Sequence, residues 1–226
     1  MKVLIYSESK FKANGTKWFY GGHSIKYQRY FPEYLKESTK ACYALSFSYS
    51  FEHSNDTVSF AYSEPYSYTD LQNDLLRIER SPKYKRIFTR KTLCTSISGL
   101  ACDLLTITNN DRNTSKKTIV LSARVHPGET VGSWIMKGVI EYLLGTNYDA
   151  EFLRDNFVFK IVPMINPDGV VQGNYRCSFS ACDLNRRYTA PSKLLHPEIY
   201  YLKEMAHKFA PLAFYCDFHG HSREYI

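Results

Sequence analysis

Ala123-Arg124-Val125-His126-Pro127-Gly128-Glu129-Thr130 is the stretch around which this 226-residue chain is organised. The apolar run Thr118-Ile119-Val120-Leu121 leads into it and reads as a buried strand. Residues 130–144 follow, with apolar side chains at Val131, Trp134, Ile135, Val139, Tyr142 and Leu143. That spacing is helical, and Thr130 is its expected N-cap. His126 and Glu129 therefore fall in a short turn at the carboxyl end of a strand, where open α/β sheets place their sites. Pro127 and Gly128 let the turn bend sharply and bring both side chains to one point. A neutral imidazole and a carboxylate so placed suit zinc, which in catalytic sites usually takes three protein ligands and leaves one position to water.

The pair alone has little specificity. A chain with 7 His and 12 Glu is expected to show about 0.4 H-x-x-E matches by chance. A second match does occur, at His221 and Glu224. What raises the first above chance is its setting among other strand ends.

Bulk properties bound the reading. The chain is long enough for one large domain or two smaller ones, and its 19 Tyr with an ordinary share of charge mark it as globular. A net charge of +7 would draw an acidic partner, and a solvated basic face is an equally compatible reading. Its Lys and Arg are scattered, with their densest cluster over residues 83–91, and no nucleic-acid motif accompanies them. Six cysteines form no C-x-x-C pair, and no disulfide framework is expected. No stretch approaches a membrane span and residues 1–10 are too weakly apolar for a signal peptide, so a cytoplasmic setting is expected.

Two regions follow from the pattern along the chain. Residues 44–51 and 57–62 alternate apolar and polar, predicting a hairpin across the His53-Ser54-Asn55-Asp56 turn. With a strand over 25–30 they predict a small all-β sandwich spanning residues 1–68. From 69 onward strands and helices alternate, predicting an α/β domain over 69–226. Thr69 is the expected cap of its first helix, and strands over 91–97 and 101–108 are expected to pair across Ser98-Gly99. A strand over 157–165 ends in Asn166-Pro167-Asp168-Gly169, and a last strand over 213–218 runs directly into His219.

Three strand ends thus carry polar groups: His126 with Glu129, the Asn166 turn, and His219. A third zinc ligand from a distant strand completes such a site, and His219 is preferred to His221 because it directly follows its strand. Asp217, two residues earlier, shares the face of His219 and is placed to orient it. Asn174-Tyr175-Arg176 and Asp183-Leu184-Asn185-Arg186-Arg187 lie between the second and third ends. Arginines there suit a substrate with a free carboxylate, or a carbonyl oxygen becoming an oxyanion. Surface roles for the same arginines are equally compatible with the sequence.

H-P-G-E-T at 126–130, N-P-D-G-V-V-Q-G-N-Y-R at 166–176, D-L-N-R-R at 183–187 and D-F-H-G-H-S at 217–222, in this order, resemble the cytosolic carboxypeptidases. These are a branch of the zinc metallocarboxypeptidases. W-F-Y-G-G-H-S-I-K-Y and F-A-Y-S-E-P-Y-S-Y-T-D-L extend the resemblance towards the start of the chain. It implies one zinc ion on His126, Glu129 and His219, Arg176 as oxyanion stabiliser, and Asn185 with Arg186 as the grip on the substrate carboxylate. It further implies a mixed-sheet carboxypeptidase domain that removes glutamates from acidic protein tails such as tubulin's, in the cytoplasm and on microtubules or cilia.

The family's general-base glutamate lies on a later strand, and no residue of this chain takes that role. A fragment incomplete at both ends is therefore expected, slower than the whole enzyme by roughly 10²–10⁴. Two rival expectations are a deacylase of N-acyl amino acids and a non-catalytic binder of acidic tails.

Overall fold

The computed structural model describes residues 3–30, 42–109 and 115–220. His221 and Glu224 lie outside the described residues. The chain divides into two compact units, Met1–Pro65 and Tyr66–Ile226.

In the first unit, β1 (Val3–Ser7) carries the buried apolar run Val3-Leu4-Ile5. The Ser7 hydroxyl accepts from the Lys10 N–H at 3.1 Å and so caps α1 (Glu8–Asn14), a helix not anticipated from the sequence. Next come β2 (Phe19–Gly21), β3 (His23–Tyr30), β4 (Cys42–Ser48) and β5 (Val58–Ala61). Here the expected hairpin is corrected. β4 pairs with β3, while β5 pairs antiparallel with β1, which β2 flanks on its other side. The physical reason is burial: Leu4 and Ile5, 5% and 0% exposed, need strands on both sides, and β5 fills one of them. Across β3 and β4, Tyr27 and Tyr43 stack as diagonal neighbours, with centroids 5.4 Å apart. Phe47 and Phe60 link the two small sheets at 5.1 Å.

The second unit opens with α2 (Tyr68–Arg80). Its cap is Ser67 rather than Thr69. The Ser67 hydroxyl accepts from the Asp70 N–H while the Asp70 carboxylate accepts from the Ser67 N–H, a reciprocal arrangement that residue 69, already inside the helix, cannot make. β6 (Phe88–Thr95) and β7 (Ala101–Ile107) pair as expected, with Gly99 at φ 90° in their turn. β8 (Lys117–Ala123) leads to α3 (Thr130–Leu143), followed by the unanticipated α4 (Tyr148–Asn156) and by β9 (Phe157–Val162). β9 stops short of 165 because Pro163 has no N–H to give the ladder. The Asn166 turn opens α5 (Pro167–Gln172), and α6 (Pro197–Lys208) and β10 (Phe214–Phe218) complete the unit.

One mixed sheet, ordered β10-β8-β9-β7-β6, is parallel across β10, β8 and β9 and antiparallel at β7 and β6. Side chains alternate between its two faces. Leu105, Ile107, Leu121 and Ile161 pack with Leu71, Leu75, Met136 and Ile140 of α2 and α3. Val120, Val162 and Cys102 pack with Ile199, Leu202 and Met205 of α6. The architecture is a mixed-sheet α/β domain preceded by smaller β sheets. No helix among the described residues is long and apolar enough to cross a membrane.

Candidate metal centre

His126 and Glu129 emerge at the end of β8, and His219 follows β10, its parallel neighbour. Phe218 pairs with Ala123, so the two strand ends are level and their loops converge. One ligand atom from each of His126, Glu129 and His219 lies within 4.8 Å of the others. Glu129 stands between the imidazoles: its Oε1 is 2.9 Å from His126 Nδ1 and its Oε2 is 2.9 Å from His219 Nδ1. The Gly220 N–H also donates to Oε2 at 2.7 Å. Glu129, rather than Thr130, is the N-cap residue of α3, and no side chain caps that end. Its carboxylate is committed to the centre instead.

The outward nitrogens decide the chemistry of this donor set. His126 Nε2 lies 3.0 Å from Asp183 Oδ1, and His219 Nε2 lies 2.8 Å from Asp217 Oδ2. A carboxylate that accepts from Nε2 leaves the Nδ1 lone pair free to face inward, the arrangement that metal-binding histidines ordinarily have. Asp217 is itself held by the Ser122 hydroxyl at 2.8 Å. Asp183 is doubly served, since Arg176 donates to its Oδ2 from Nε at 2.8 Å and lies at 2.7 Å through Nη2. Burial opposes ionisation of Asp183, but the bonds from His126 and Arg176 outweigh it and hold its carboxyl below the usual range. Two nitrogens and a carboxylate oxygen around one point fit a zinc ion with an open position.

The turn itself is fixed from below. The Asn166 side chain caps α5 through Gly169 N–H and donates to Val125 O at 3.2 Å. Gly128 N–H donates to Tyr175 O at 2.8 Å, and a Cβ on Gly128 would lie 2.4 Å from the Tyr175 ring. Arg176, next to Tyr175 in this loop, meets Asp183, the partner of His126.

Of the residues expected to grip substrate, Asn185 lines a cavity of about 450 Å³ together with His219, Tyr188, Tyr215, Leu202 and Lys203. Tyr188 and Tyr215 meet there hydroxyl to hydroxyl at 3.4 Å, and burial raises both their pKa values. Arg186 is exposed, donates to Asn185 O at 3.3 Å and is not among the residues lining that cavity. Sequence reading missed the roles of Asp183 and Arg124. Asp183 sits within the D-L-N-R-R motif, where a carboxylate two residues before Asn185 was the available signal. Arg124 had none.

The family model described as zinc carboxypeptidase matches residues 78–208, over half the chain. The chain belongs to the zinc carboxypeptidase family. His126 and Glu129 fall within the matched segment and His219 beyond it, so the fold, not the match, supplies the third donor of this family member. Among curated proteins it is similar to cytosolic carboxypeptidase 2 of Homo sapiens, 42% identical over 231 residues. That match covers 99% of this chain and 25% of the relative, so the chain spans about a quarter of the length of such relatives. Among solved structures it is similar to a putative carboxypeptidase A from Shewanella denitrificans, with 26% identity and a TM-score of 0.75, covering 97% of this chain and 51% of the other. A metallo-carboxypeptidase from Pseudomonas aeruginosa, in complex with (2-guanidinoethylmercapto)succinic acid, gives 25% identity and a TM-score of 0.72, covering 97% and 51%.

Proposed function

We propose that this chain carries the zinc site of a metallocarboxypeptidase that removes glutamates from acidic protein tails, tubulin's among them. The observation that carries the reading is the donor set: His126 Nδ1, Glu129 and His219 Nδ1 converge while Asp183 and Asp217 hold the outer nitrogens. When bound there, zinc supplies a Lewis acid for a scissile carbonyl and lowers the pKa of a water. The protein's own groups do the rest. Asp183 and Asp217 keep both imidazoles in register, and Arg176, which meets Asp183, is assigned to donate to a developing oxyanion. Asn185 at the cavity and the exposed Arg186 beside it in sequence are assigned to the substrate carboxylate. The succinic acid ligand of the Pseudomonas aeruginosa relative supports a carboxylate-binding site in this fold. The net charge of +7 favours acidic substrates.

One observation favours a second reading, a binder of acidic tails that does not cleave them. Among the described residues the carboxylates at the centre, Glu129, Asp183 and Asp217, are all engaged with histidines, so none is assigned as the proton acceptor. Zinc content and free glutamate released from an oligoglutamate peptide, measured for the wild type and His126→Ala, test both readings. The enzyme reading expects one zinc and glutamate release in the wild type and neither in the variant. Release that survives His126→Ala sinks it, and peptide affinity that is unchanged when zinc is removed favours the binder.

A further inference from the structure

At the opposite end of the sheet, a cavity of about 570 Å³ opens where β9 begins, lined by Lys85, Arg86, Ile87, Thr89, Thr106 and Thr108. Thr89 and Thr106 are register partners, and Thr106 is in turn the partner of Lys160 on β9. The Lys160 ammonium donates to the Thr106 hydroxyl at 2.9 Å and sits 4.7 Å above the Phe209 ring. Lys116 donates to Thr108 Oγ1 at 3.3 Å and to the carbonyls of Asn109 and Arg154 at 2.8 Å. With about 3.3 Å per strand residue, β8 puts roughly 20 Å between this cavity and the metal centre.

Among the described residues no carboxylate is paired with the charge here. Lys85, Arg86, Lys91, Lys160 and Lys208 form no ion pair among the described residues. Elsewhere in the same unit Arg77, Arg90, Lys137 and Arg176 each hold a carboxylate. Burial, and then the charges of Lys91 and Lys208, lower the pKa of the Lys160 ammonium. Like charges gathered around hydroxyl donors are relieved when an anion enters.

We propose that this cavity is a docking site for an acidic polypeptide segment, whose carboxylates take hydrogen bonds from Lys85, Arg86 and Lys160 and from the Thr89 and Thr106 hydroxyls. The lining favours that occupant over others. It has no helix N-terminus and no glycine turn of the kind that cradles phosphate. None of its lining residues is aromatic, and the Phe209 ring nearby is covered by the Lys160 ammonium. It also adjoins β6, the edge strand of the sheet, along which an extended chain can lie. None of its residues belongs to the metal centre, and the two sites stand or fall separately.

The test is fluorescence anisotropy of a labelled, C-terminally amidated decaglutamate titrated into the whole chain at about 50 and 200 mM NaCl. Lys85 and Arg86 are exposed, so the double variant Lys85→Glu/Arg86→Glu is expected to fold. It should weaken binding about tenfold or more at the lower salt. Lys160→Gln should weaken it less, and His126→Ala should leave it unchanged. Unchanged affinity in the double variant overturns the proposal. So does loss of binding in His126→Ala, which would put the peptide at the metal centre. Displacement by inorganic phosphate beyond that by chloride of equal ionic strength would make the cavity a phosphate site instead.

Discussion

Arg124 donates from Nε to the carbonyl of Pro127 at 2.7 Å, from a backbone held in the left-handed region at φ 60°. Its guanidinium, 4% exposed, also reaches Tyr66 O at 3.0 Å and Ser133 Oγ at 2.8 Å. The side chain thus folds back under the turn that carries His126 and Glu129 and ties it to α3. A non-glycine residue at positive φ is strained, and the three hydrogen bonds offset that strain.

Arg124→Met should therefore leave two main-chain carbonyls unsatisfied and destabilise the protein by about 3 kcal/mol, as read from urea unfolding. Zinc affinity should fall with it. Lost stability with unaltered zinc affinity would mean that Arg124 supports the core and not the turn.

Asp183→Asn keeps the shape of the side chain and removes the charge that holds His126 Nε2 and Arg176. Zinc affinity should drop by about 10–100-fold, measured by competition with a chromophoric chelator. Asp217→Asn should act in the same direction through His219.

Gly128→Ala would put a Cβ 2.4 Å from the Tyr175 ring and 2.8 Å from its carbonyl oxygen. The ring can swing away, but the backbone must move, and Arg176 moves with it. A loss of about 1–3 kcal/mol is expected, together with weaker peptide hydrolysis or binding. A crystal structure of the variant showing loop 174–176 in place would contradict this account.

Glu198, 3% exposed in the first turn of α6, has its carboxyl pushed up to about 7, by burial first and by the charge of Asp168 second. In the unfolded chain it titrates near the ordinary carboxylate value. The folded state therefore binds the extra proton between about pH 4.5 and 7, and stability falls as pH rises through that window. A shift of this size corresponds to about 3 kcal/mol. Glu198→Gln should be more stable than the wild type at pH 8 by up to that amount and equal to it at pH 4. Parallel stability curves for the two proteins across this range would refute it.

The features legible in the sequence were local ones. The strand, turn and helix around His126 and Glu129 follow from apolar periodicity and from Pro127-Gly128, because spacing of three residues across a tight turn is set by neighbouring bonds. His219 was legible for the same reason, since a strand pattern runs directly into it. The four ordered motifs carried the family. The N-terminal strand partners were not legible, because alternation names a buried face without naming its neighbour, and the burial of Leu4 and Ile5 decided that β5 joins β1. Only the tertiary structure could bring Asp183 to His126 across 57 positions or seat a buried Arg124 at positive φ. Both depend on where remote loops converge at the sheet's edge, and that convergence is fixed by packing of the whole core.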